Sequence, residues 1–286
     1  MRGERGGGGL RAVMKYPGSK WTLAEWIVGN MPEHKFYLEP FFGSGAVFFN
    51  KAPSEYETIN DIDGLVVNFF KACRDYPDDL ARAVNLTPFS REEFFAIQES
   101  AAGEEIQLTG DCVEDARRFL VRCCQGFGSK LADRVGWKNT KQPAGPNNAA
   151  IWAKIPPIIY EAAERLKNAQ IEKTDAVQLI RACNHPDCLI YADPPYLGDT
   201  RGRKRLYRIE MMDAAAHVRL LDALLSHKGP VILSGYDNQL YNDKLSGWRK
   251  TAHVGRSNSG APRSEILWMN FDGGQKTLFD KEEATL

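Results

Sequence analysis

The apolar positions of this chain follow two spacings. Short apolar runs end in an acid at Glu39, Asp61 and Asp193, whereas residues 213–227 repeat apolar positions at helical spacing. Short strands that alternate with helices are typical of an α/β fold. The pattern therefore predicts an α/β protein with a mainly parallel twisted sheet and helices on both faces. Open sheets of this kind bind their ligands at the carboxyl ends of the strands.

Further elements follow from the same reading. Ser19 is predicted to cap a helix whose buried face carries Trp21, Ala24, Ile27 and Val28. Other helices are predicted around residues 92–100, 113–124, 157–167 and 213–227, and strands at 36–39, 58–60, 171–174, 189–192, 230–234, 249–254 and 265–271. The last two strands suit a hairpin across residues 255–264.

The stretch Asp193-Pro194-Pro195-Tyr196 follows the apolar run 189–192. Proline lacks an N–H to donate to a sheet, so Pro194 should end the strand and leave Asp193 at its carboxyl end. The adjacent prolines also fix the direction of the Pro194 carbonyl. In isolation the motif is equally compatible with a rigid turn and with an active site. Other parts of the sequence are needed to distinguish these two alternatives.

A glycine loop follows the first predicted strand, and a helix with Val47, Phe48 and Phe49 is predicted after it. Glycines let the backbone approach a ligand, and a strand, glycine loop and helix form the nucleotide-binding turn of doubly wound folds. The spacing matches neither the dinucleotide fingerprint nor a Walker loop, so this signal is weak alone. The candidate ligand-contacting residues of this stretch are Glu39, Pro40, Phe41, Gly43, Ser44 and Gly45.

Asp61-Ile62-Asp63 ends the second predicted strand. An acid in this position binds ribose in mononucleotide-binding units, because a carboxylate can accept hydrogen bonds from both ribose hydroxyls. Asp61 is the first candidate; Asp63 is the second, with helix capping as its alternative. Asp175 adds a fourth acid at a strand end. An acidic cleft without a phosphate cradle suits a positively charged nucleoside, and S-adenosylmethionine fits this description.

Composition suits one large globular domain or a domain with an insertion, at 43% hydrophobic and 26% charged residues. The 37 basic and 37 acidic residues give no net charge, so nucleic-acid binding would need local basic patches. One patch follows Tyr196 and contains Arg201, Arg203, Lys204, Arg205 and Arg208. A second basic region contains Arg117, Arg118, Arg122, Lys130, Arg134 and Lys138, with Phe127 and Trp137 interleaved. This composition favours a segment that contacts nucleic acid, although a solvated charged surface is the simpler alternative.

Several other features narrow the class. Residues 1–13 are polar and glycine-rich, which predicts a disordered leader, and the polar residues 273–286 predict a flexible tail. The six cysteines include no CxxC pair, so reduced thiols are expected in a cytoplasmic protein, and a zinc site at Cys183, His185 and Cys188 is not. The chain also contains no apolar run of the length that spans a membrane.

Four stretches in this order resemble the Dam-like DNA adenine-N6 methyltransferases, particularly their phage and prophage members. They are residues 16–20 (Tyr-Pro-Gly-Ser-Lys), 39–45 (Glu-Pro-Phe-Phe-Gly-Ser-Gly), 60–63 (Asn-Asp-Ile-Asp) and 193–196 (Asp-Pro-Pro-Tyr). Residues 233–236 (Leu-Ser-Gly-Tyr) and the tail 263–270 look like later pieces of the same family, and the resemblance extends from about residue 14 to residue 271. It implies a Rossmann-like methyltransferase sheet, with S-adenosylmethionine contacted by Tyr16 and Lys20, its ribose by Asp61, and both cofactor and target by Asp193. Tyr16 stands where the family often has tryptophan.

The resemblance also implies a division of the chain. Residues 14–84 and 168–272 would form the catalytic domain, and residues 85–167 a mainly helical target-recognition insert. Double-stranded DNA would be the partner, contacted by Arg122, Lys130, Arg201, Arg203, Lys204 and Arg205. The protein would act as a monomer, or as a dimer on DNA. Restriction–modification, regulatory and phage-protective roles stay equally open, as does the target sequence.

The expected chemistry explains these residue types. The exocyclic amine of adenine is a poor nucleophile, and the Asp193 carboxylate and Pro194 carbonyl can each accept one of its N–H groups. Fixed acceptors then stabilise the positive charge that develops on nitrogen. The base would have to leave the duplex, and Tyr196 would offer it a stacking face. No metal is needed, since the leaving group is a neutral thioether. The alternatives are methylation of RNA adenine or protein glutamine, or a catalytically silent DNA-binding relative.

Overall fold

The computed structural model describes residues 11–99, 108–129, 134–139, 145–197, 213–256 and 262–272. These residues belong to two compact units. The helical unit comprises Met1–Ala24, Gly43–Ala52 and Leu65–Asn168, and the sheet unit comprises Glu25–Phe42, Pro53–Gly64 and Ala169–Leu286. The helical unit therefore begins its long segment at Leu65, before the insert predicted for residues 85–167. The assignment of that insert to target recognition stays a prediction.

Seven strands form one sheet in the sheet unit. They are β1 (Phe36–Glu39), β2 (Tyr56–Asn60), β3 (Ala169–Glu172), β4 (Cys188–Ala192), β5 (Val231–Tyr236), β6 (Arg249–Arg256) and β7 (Pro262–Met269). Their order is β3-β2-β1-β4-β5-β7-β6. Strands β1 to β5 pair in parallel, and β7 pairs antiparallel with β5 and β6. The predicted α/β class and the terminal hairpin are confirmed.

The strand order reverses between β1 and β4. The chain passes from β1 outward through β2 to β3 and then returns to β4 on the other side of β1. Open α/β sheets bind ligands outside the carboxyl ends of the strands at such a reversal. Because β1, β2 and β4 are parallel, Glu39, Asp61 and Asp193 follow strands that end at the same edge of the sheet.

The helices are α1 (Ala24–Gly29), α2 (Gly64–Asp75), α3 (Pro77–Leu86), α4 (Arg91–Glu99), α5 (Cys112–Gln125), α6 (Asn148–Trp152), α7 (Ile155–Leu166), α8 (Ala176–Ala182), α9 (Ala214–Leu225) and α10 (Gln239–Lys244). In the described part of the chain, no helix is long and apolar enough to cross a membrane. The core of the sheet unit packs Ile180 of α8 and Leu220 and Leu224 of α9 with Ile190 and Trp268 of the sheet. Every residue of β4 is buried, as its unbroken apolar run predicts.

Two local predictions are wrong. The helix after Ser19 begins only at Ala24, because the Ser19 hydroxyl bonds to the Ser44 hydroxyl (2.8 Å) instead of capping a helix. Residues 46–50 form turns rather than a helix, although Val47, Phe48 and Phe49 are buried as expected. The apolar pattern predicted correctly that these side chains are buried, but it did not predict the conformation of the backbone. Helices α3, α6, α8 and α10 were not predicted from the sequence.

Ion pairs within the helical unit join α4 to α5. Glu114 of α5 accepts hydrogen bonds from Arg117 Nε (2.6 Å) and Arg118 Nε (2.7 Å), and Arg117 also bonds Glu93 of α4. The hydrogen bond from Arg117 lowers the pKa of Glu114 to about 2 from an ordinary value of 4.5. Two of the arginines that suggested a basic surface are therefore neutralised by acids.

Glu114→Gln should destabilise the protein more at pH 7 than at pH 3. Because folding depresses the pKa of Glu114, its ionised form stabilises the fold above about pH 4.5, and this contribution is lost as the pH falls toward 2. Urea unfolding at both pH values measures the difference. Glu164→Gln, which removes an exposed acid paired with Lys167 in the same unit, is the control and should show little effect. An equal destabilisation by Glu114→Gln at both pH values would contradict this assignment.

Candidate active site

Three carboxylates of the sheet unit surround the buried Tyr191. The charges of Asp193, Glu39 and Glu265 all raise the pKa of Tyr191, although burial is the largest cause. The register explains the proximity: Leu38 pairs with Ile190 on β4, so Glu39 follows next to Tyr191. Tyr191 is 1% exposed. Several acids of the sheet unit thus lie near enough to the Tyr191 hydroxyl to act on it electrostatically.

Glu39 is held from its own strand. Its side chain is buried, and the Tyr37 hydroxyl donates a hydrogen bond to Glu39 Oε2 at 2.7 Å. Burial, followed by the charge of Glu39, raises the pKa of Tyr37 well above its ordinary value. Tyr37 therefore stays protonated and serves as a donor that stabilises the ionised carboxylate.

Asp193 lies half-buried directly after β4. The Ser234 hydroxyl of β5 donates to Asp193 Oδ1 at 2.9 Å, and the Tyr191 and Ser234 hydroxyl oxygens are 3.1 Å apart. Strand β4 ends at Ala192, as the prolines predicted, and Pro194 is buried. A carboxylate at a strand end, anchored from the neighbouring strand, has few orientations open to it.

Tyr196 is held at both its ring and its hydroxyl. The hydroxyl donates to Glu265 Oε1 of β7 at 2.6 Å, and the ring centroid lies 4.4 Å from that of Tyr236. Tyr236 and Glu265 are themselves paired across β5 and β7. Glu265 is only 8% exposed. The last residue of the Asp-Pro-Pro-Tyr motif is therefore tied to the two strands that carry Ser234 and Glu265.

Asp61 is positioned by the residues that flank it. Its Oδ1 accepts a hydrogen bond from the Asp63 backbone N–H at 2.8 Å. Before it, the buried Asn60 amide donates to the carbonyls of Pro40 (2.9 Å) and Thr174 (3.1 Å) and accepts from the Thr174 N–H (2.9 Å). Asn60 thus connects the turn after β1 to the end of β3, and it holds the β2 terminus from which Asp61 extends.

The glycine loop lies in the helical unit, where Tyr16 covers it. Gly43 has a φ of +50°, which favours glycine, and a Cβ there would stand 3.1 Å from Tyr16 Cε1. Gly45 also has a positive φ, of 66°. The buried Lys20 donates to the Gly18 carbonyl at 3.1 Å. Within this unit, Tyr16 lies against Gly43. The hydrogen bond between Ser19 and Ser44 joins the glycine loop to the turn that precedes Lys20.

Asp175, Asp63 and Ile62 have distinct environments. Asp175 is exposed and caps α8 by accepting from Gln178 N (3.0 Å), which is a sufficient structural role. Asp63 is buried, whereas Ile62 is 44% exposed, an open apolar side chain directly after Asp61. Contacts of Asp175 and Ile62 with a cofactor stay predictions.

The DNA contact of Arg122 stays a prediction. Arg122 is only 3% exposed on α5, so its guanidinium would have to become accessible to contact a phosphate. Lys130, Arg201, Arg203, Lys204, Arg205 and Arg208 lie outside the described residues. Of the insert's aromatics, Phe127 is 69% exposed, and the backbone beside it pairs with residues 136–138. Trp137 packs against Phe89 at 5.1 Å between ring centroids.

The sequence analysis assigned no roles to Asn60, Tyr191, Ser234 and Glu265. All four are buried polar side chains within or beside apolar strands. A polar residue inside an apolar run was the available signal, because buried polar groups need partners. The partners themselves are not visible locally: Ser234 and Asp193 are 41 residues apart, and Tyr196 and Glu265 are 69 apart.

No metal site is evident in the described part of the chain, where no group of three or more His, Cys, Asp or Glu could hold an ion. Cys183 and Cys188, the pair considered for zinc, are free thiols. Burial raises the pKa of the Cys188 thiol to about 12, so it stays protonated.

Comparison with known proteins places these features in a family. Residues 16–255 match the family of D12 class N6 adenine-specific DNA methyltransferases. The type II methyltransferase M1.LlaDCHI of Lactococcus lactis subsp. cremoris is 27% identical over 270 residues, covering 92% of this chain and 86% of that protein. The DNA N-6-adenine-methyltransferase of Escherichia phage P1 is 39% identical over 206 residues, covering 67% of this chain and 25% of that protein.

Other similarities are weaker. The DNA adenine methylase of Escherichia coli (strain K12) is 24% identical over 278 residues, covering 90% of this chain and 92% of that protein. Among solved structures, an rRNA methylase from Streptococcus thermophilus aligns at a TM-score of 0.37 and 7% identity, covering 89% of this chain and 96% of that one. The assignment therefore rests on sequence, and the matched range contains all four of the sequence motifs. The chain belongs to the D12 class of N6 adenine-specific DNA methyltransferases.

Proposed function

We propose that Asp193 and the Pro194 carbonyl are the paired acceptors that bind the target amine of adenine. The observation that carries this assignment is the anchored Asp193 carboxylate: it lies at the strand reversal, and Ser234 holds it by a 2.9 Å hydrogen bond. A fixed carboxylate and a fixed carbonyl can each accept one N–H of the amine. The nitrogen can then rehybridise, and the positive charge that develops on it is stabilised by acceptors that need no reorganisation.

The enzyme uses S-adenosylmethionine, the cofactor of its family. When bound, this cofactor supplies an electrophilic methyl group on a positively charged sulfonium. The acids of the sheet unit fit such a ligand, since the charges of Asp193, Glu39 and Glu265 all act on one buried tyrosine. We propose Asp61 as the ribose ligand and Glu39 and Asp193 as acids that face the positive charge. Carboxylates that face a ligand favour a cationic group over a phosphate.

The other predicted cofactor contacts are part of the same proposal. They are Tyr16, Lys20, Pro40, Phe41, Gly43, Ser44, Gly45, Ile62 and Asp175. The structural support for a cofactor contact differs among these residues. Gly43 has a positive φ and lies against Tyr16, which is typical of a shaped loop. Asp175 caps a helix, and this role explains its position without a ligand. The resemblance supports the rest.

We also propose that the target adenine is flipped out of the duplex and stacks on Tyr196. The amine is paired inside a duplex, so extrusion is needed before Asp193 can reach it. The Tyr196 ring is held by Glu265 and Tyr236, so it is rigid when the base arrives. A preformed ring loses less conformational entropy on binding than a free one. The basic segment after residue 200 and the insert around Phe127 are proposed to contact the DNA.

Methyl transfer from tritiated S-adenosylmethionine tests the assignment. Duplex DNA, RNA and protein extracts are incubated separately, and the labelled DNA is digested to nucleosides. Label is expected in N6-methyladenine from DNA; label in cytosine, or only in RNA or protein, would contradict it. Methylation-sensitive long-read sequencing of DNA from expressing cells then gives the target sequence. With 2-aminopurine in place of the target adenine, a rise in fluorescence on binding would report flipping, and an unchanged signal would rule it out.

A further inference from the structure

A hydroxyl relay connects the interior of the sheet to Asp193. It consists of Tyr191 on β4 and Ser234 on β5, which are 1% and 0% exposed. The register pairs Ala192 with Leu233, so Ser234 comes next to Asp193 just where β4 ends. The oxygen–oxygen distance from Tyr191 to Ser234 is 3.1 Å, and that from Ser234 to Asp193 Oδ1 is 2.9 Å.

The direction of the relay follows from counting protons. The Ser234 hydroxyl has one proton, and Asp193 Oδ1 accepts it. The shorter contact of that proton is with Asp193 Oδ1 (2.9 Å) and not with the Ala192 carbonyl (3.5 Å), so we assign the phenol of Tyr191 as the donor to Ser234. Burial and nearby carboxylates raise the pKa of Tyr191 well above its ordinary value, so the phenol keeps its proton. Each hydroxyl thus polarises the next, and the relay ends on the carboxylate.

The relay has a specific mechanical consequence. Asp193 comes directly after the last residue of β4. The buried side-chain hydroxyl of Ser234, on the neighbouring strand β5, anchors the Asp193 carboxylate at 2.9 Å. It fixes the rotation of the carboxylate and thereby the direction in which the carboxylate accepts the target amine. Misplacement of a reacting group by about 1 Å can cost roughly 10²-fold in rate.

We propose that Ser234 is a positioning residue for Asp193, and that Tyr191 acts through Ser234. Neither residue is assigned contact with the adenine or the cofactor. The inference rests on the proposed role of Asp193 in accepting the target amine. It predicts a defect in the rate of the chemical step with cofactor affinity preserved, since Ser234 orients the acceptor and does not bind the ligand.

Steady-state kinetics of Ser234→Ala, Tyr191→Phe and the double variant test the relay. We expect kcat to fall by about 10–100-fold for Ser234→Ala and by a smaller factor for Tyr191→Phe. The KM for DNA and the Kd for S-adenosylmethionine should change by less than about threefold. The loss in the double variant should be smaller than the product of the two single losses, because the hydrogen bonds connect Tyr191 to Asp193 through Ser234. Multiplicative losses in the double variant, or wild-type kcat in Ser234→Ala, would overturn the proposal.

Two further variants guard against a purely structural explanation. Ser234→Thr keeps a hydroxyl and should recover most of the kcat, whereas Ser234→Cys keeps the size but has a weak donor and should behave like alanine. Failure of threonine to recover more activity than cysteine would contradict the relay even if alanine does not fold. Tyr241→Phe is the matched control: it removes a buried hydroxyl in the same unit, which bonds His217 at 2.7 Å, and should keep wild-type kcat.

The outcome for Asp193 separates this inference from the proposed function. If Asp193→Ala is inactive while Ser234→Ala turns over normally, only the relay is wrong. If Asp193→Ala retains activity, the assignment of the acceptor itself is wrong.

Discussion

Asp193→Ala is expected to abolish methyl transfer while leaving the protein folded. The variant removes one of the two proposed acceptors for the target amine, together with the negative charge that faces the developing cation. Loss of a single preorganised hydrogen-bonding group of this kind costs about 10²–10³-fold in rate, and loss of the charge should place Asp193→Ala at or beyond that range. Single-turnover transfer of a tritiated methyl group to duplex DNA measures it.

Two comparisons sharpen the Asp193 experiment. Asp193→Asn keeps an oxygen to accept the Ser234 proton but lacks the charge, so it should also be strongly impaired. Asp222→Ala removes an exposed acid of the same unit, paired with Lys244 on the surface, and should transfer methyl groups at the wild-type rate. Circular dichroism and thermal melting confirm that each variant is folded. Wild-type activity in folded Asp193→Ala would refute the assignment.

Asp61→Ala is expected to weaken binding of S-adenosylmethionine by about 10–100-fold. A carboxylate that accepts from both ribose hydroxyls makes two charge-assisted hydrogen bonds, each worth about 1.5–3 kcal/mol, and part of this is recovered when water solvates the truncated site. Asp61→Asn should fall between wild type and alanine, because it keeps the acceptor for the Asp63 N–H but has only one oxygen. Isothermal titration calorimetry with the cofactor gives the three dissociation constants.

The control for Asp61 is an acid at the opposite, amino-terminal ends of the parallel strands. Asp187 is exposed and lies just before β4, at the amino end of the strand, so Asp187→Asn should leave cofactor affinity unchanged. Equal affinities in Asp61→Ala and wild type would remove Asp61 from the proposed ribose site. In that case the buried Asp63, the second candidate, would be the next residue to replace.

The hydroxyl groups around Tyr191 explain how several acids can be placed so close together. Carboxylates that share a buried region repel each other and resist ionisation unless donors or cations stabilise them. Here Tyr37 donates to Glu39, Ser234 to Asp193 and Tyr196 to Glu265, so each acid has a neutral hydroxyl donor. These neutral hydroxyl donors stabilise the carboxylates without adding a positive charge of their own.

Local pattern was sufficient for the strands and for the position of the acids. Apolar runs of strand length, the missing N–H of Pro194 and the positive φ required near Gly43 are all properties of neighbouring residues. They placed Asp193 at the end of β4 and anticipated the glycine turn. The same reasoning failed for Ser19, whose hydroxyl bonds to Ser44, 25 residues away. Nor did it indicate that Arg122 is buried, because a basic residue on an amphipathic helix can face either side.

By itself the sequence determined the α/β class and the carboxyl ends of β1, β2 and β4, because these depend on short-range periodicity or on the residues of one turn. The order of four motifs in the sequence indicated the family. Only the tertiary structure decided which partner holds each functional side chain. Ser234 meets Asp193, and Glu265 meets Tyr196, because β4, β5 and β7 lie side by side in this register. Strand order and register arise from burying the whole core at once, so no local segment encodes them.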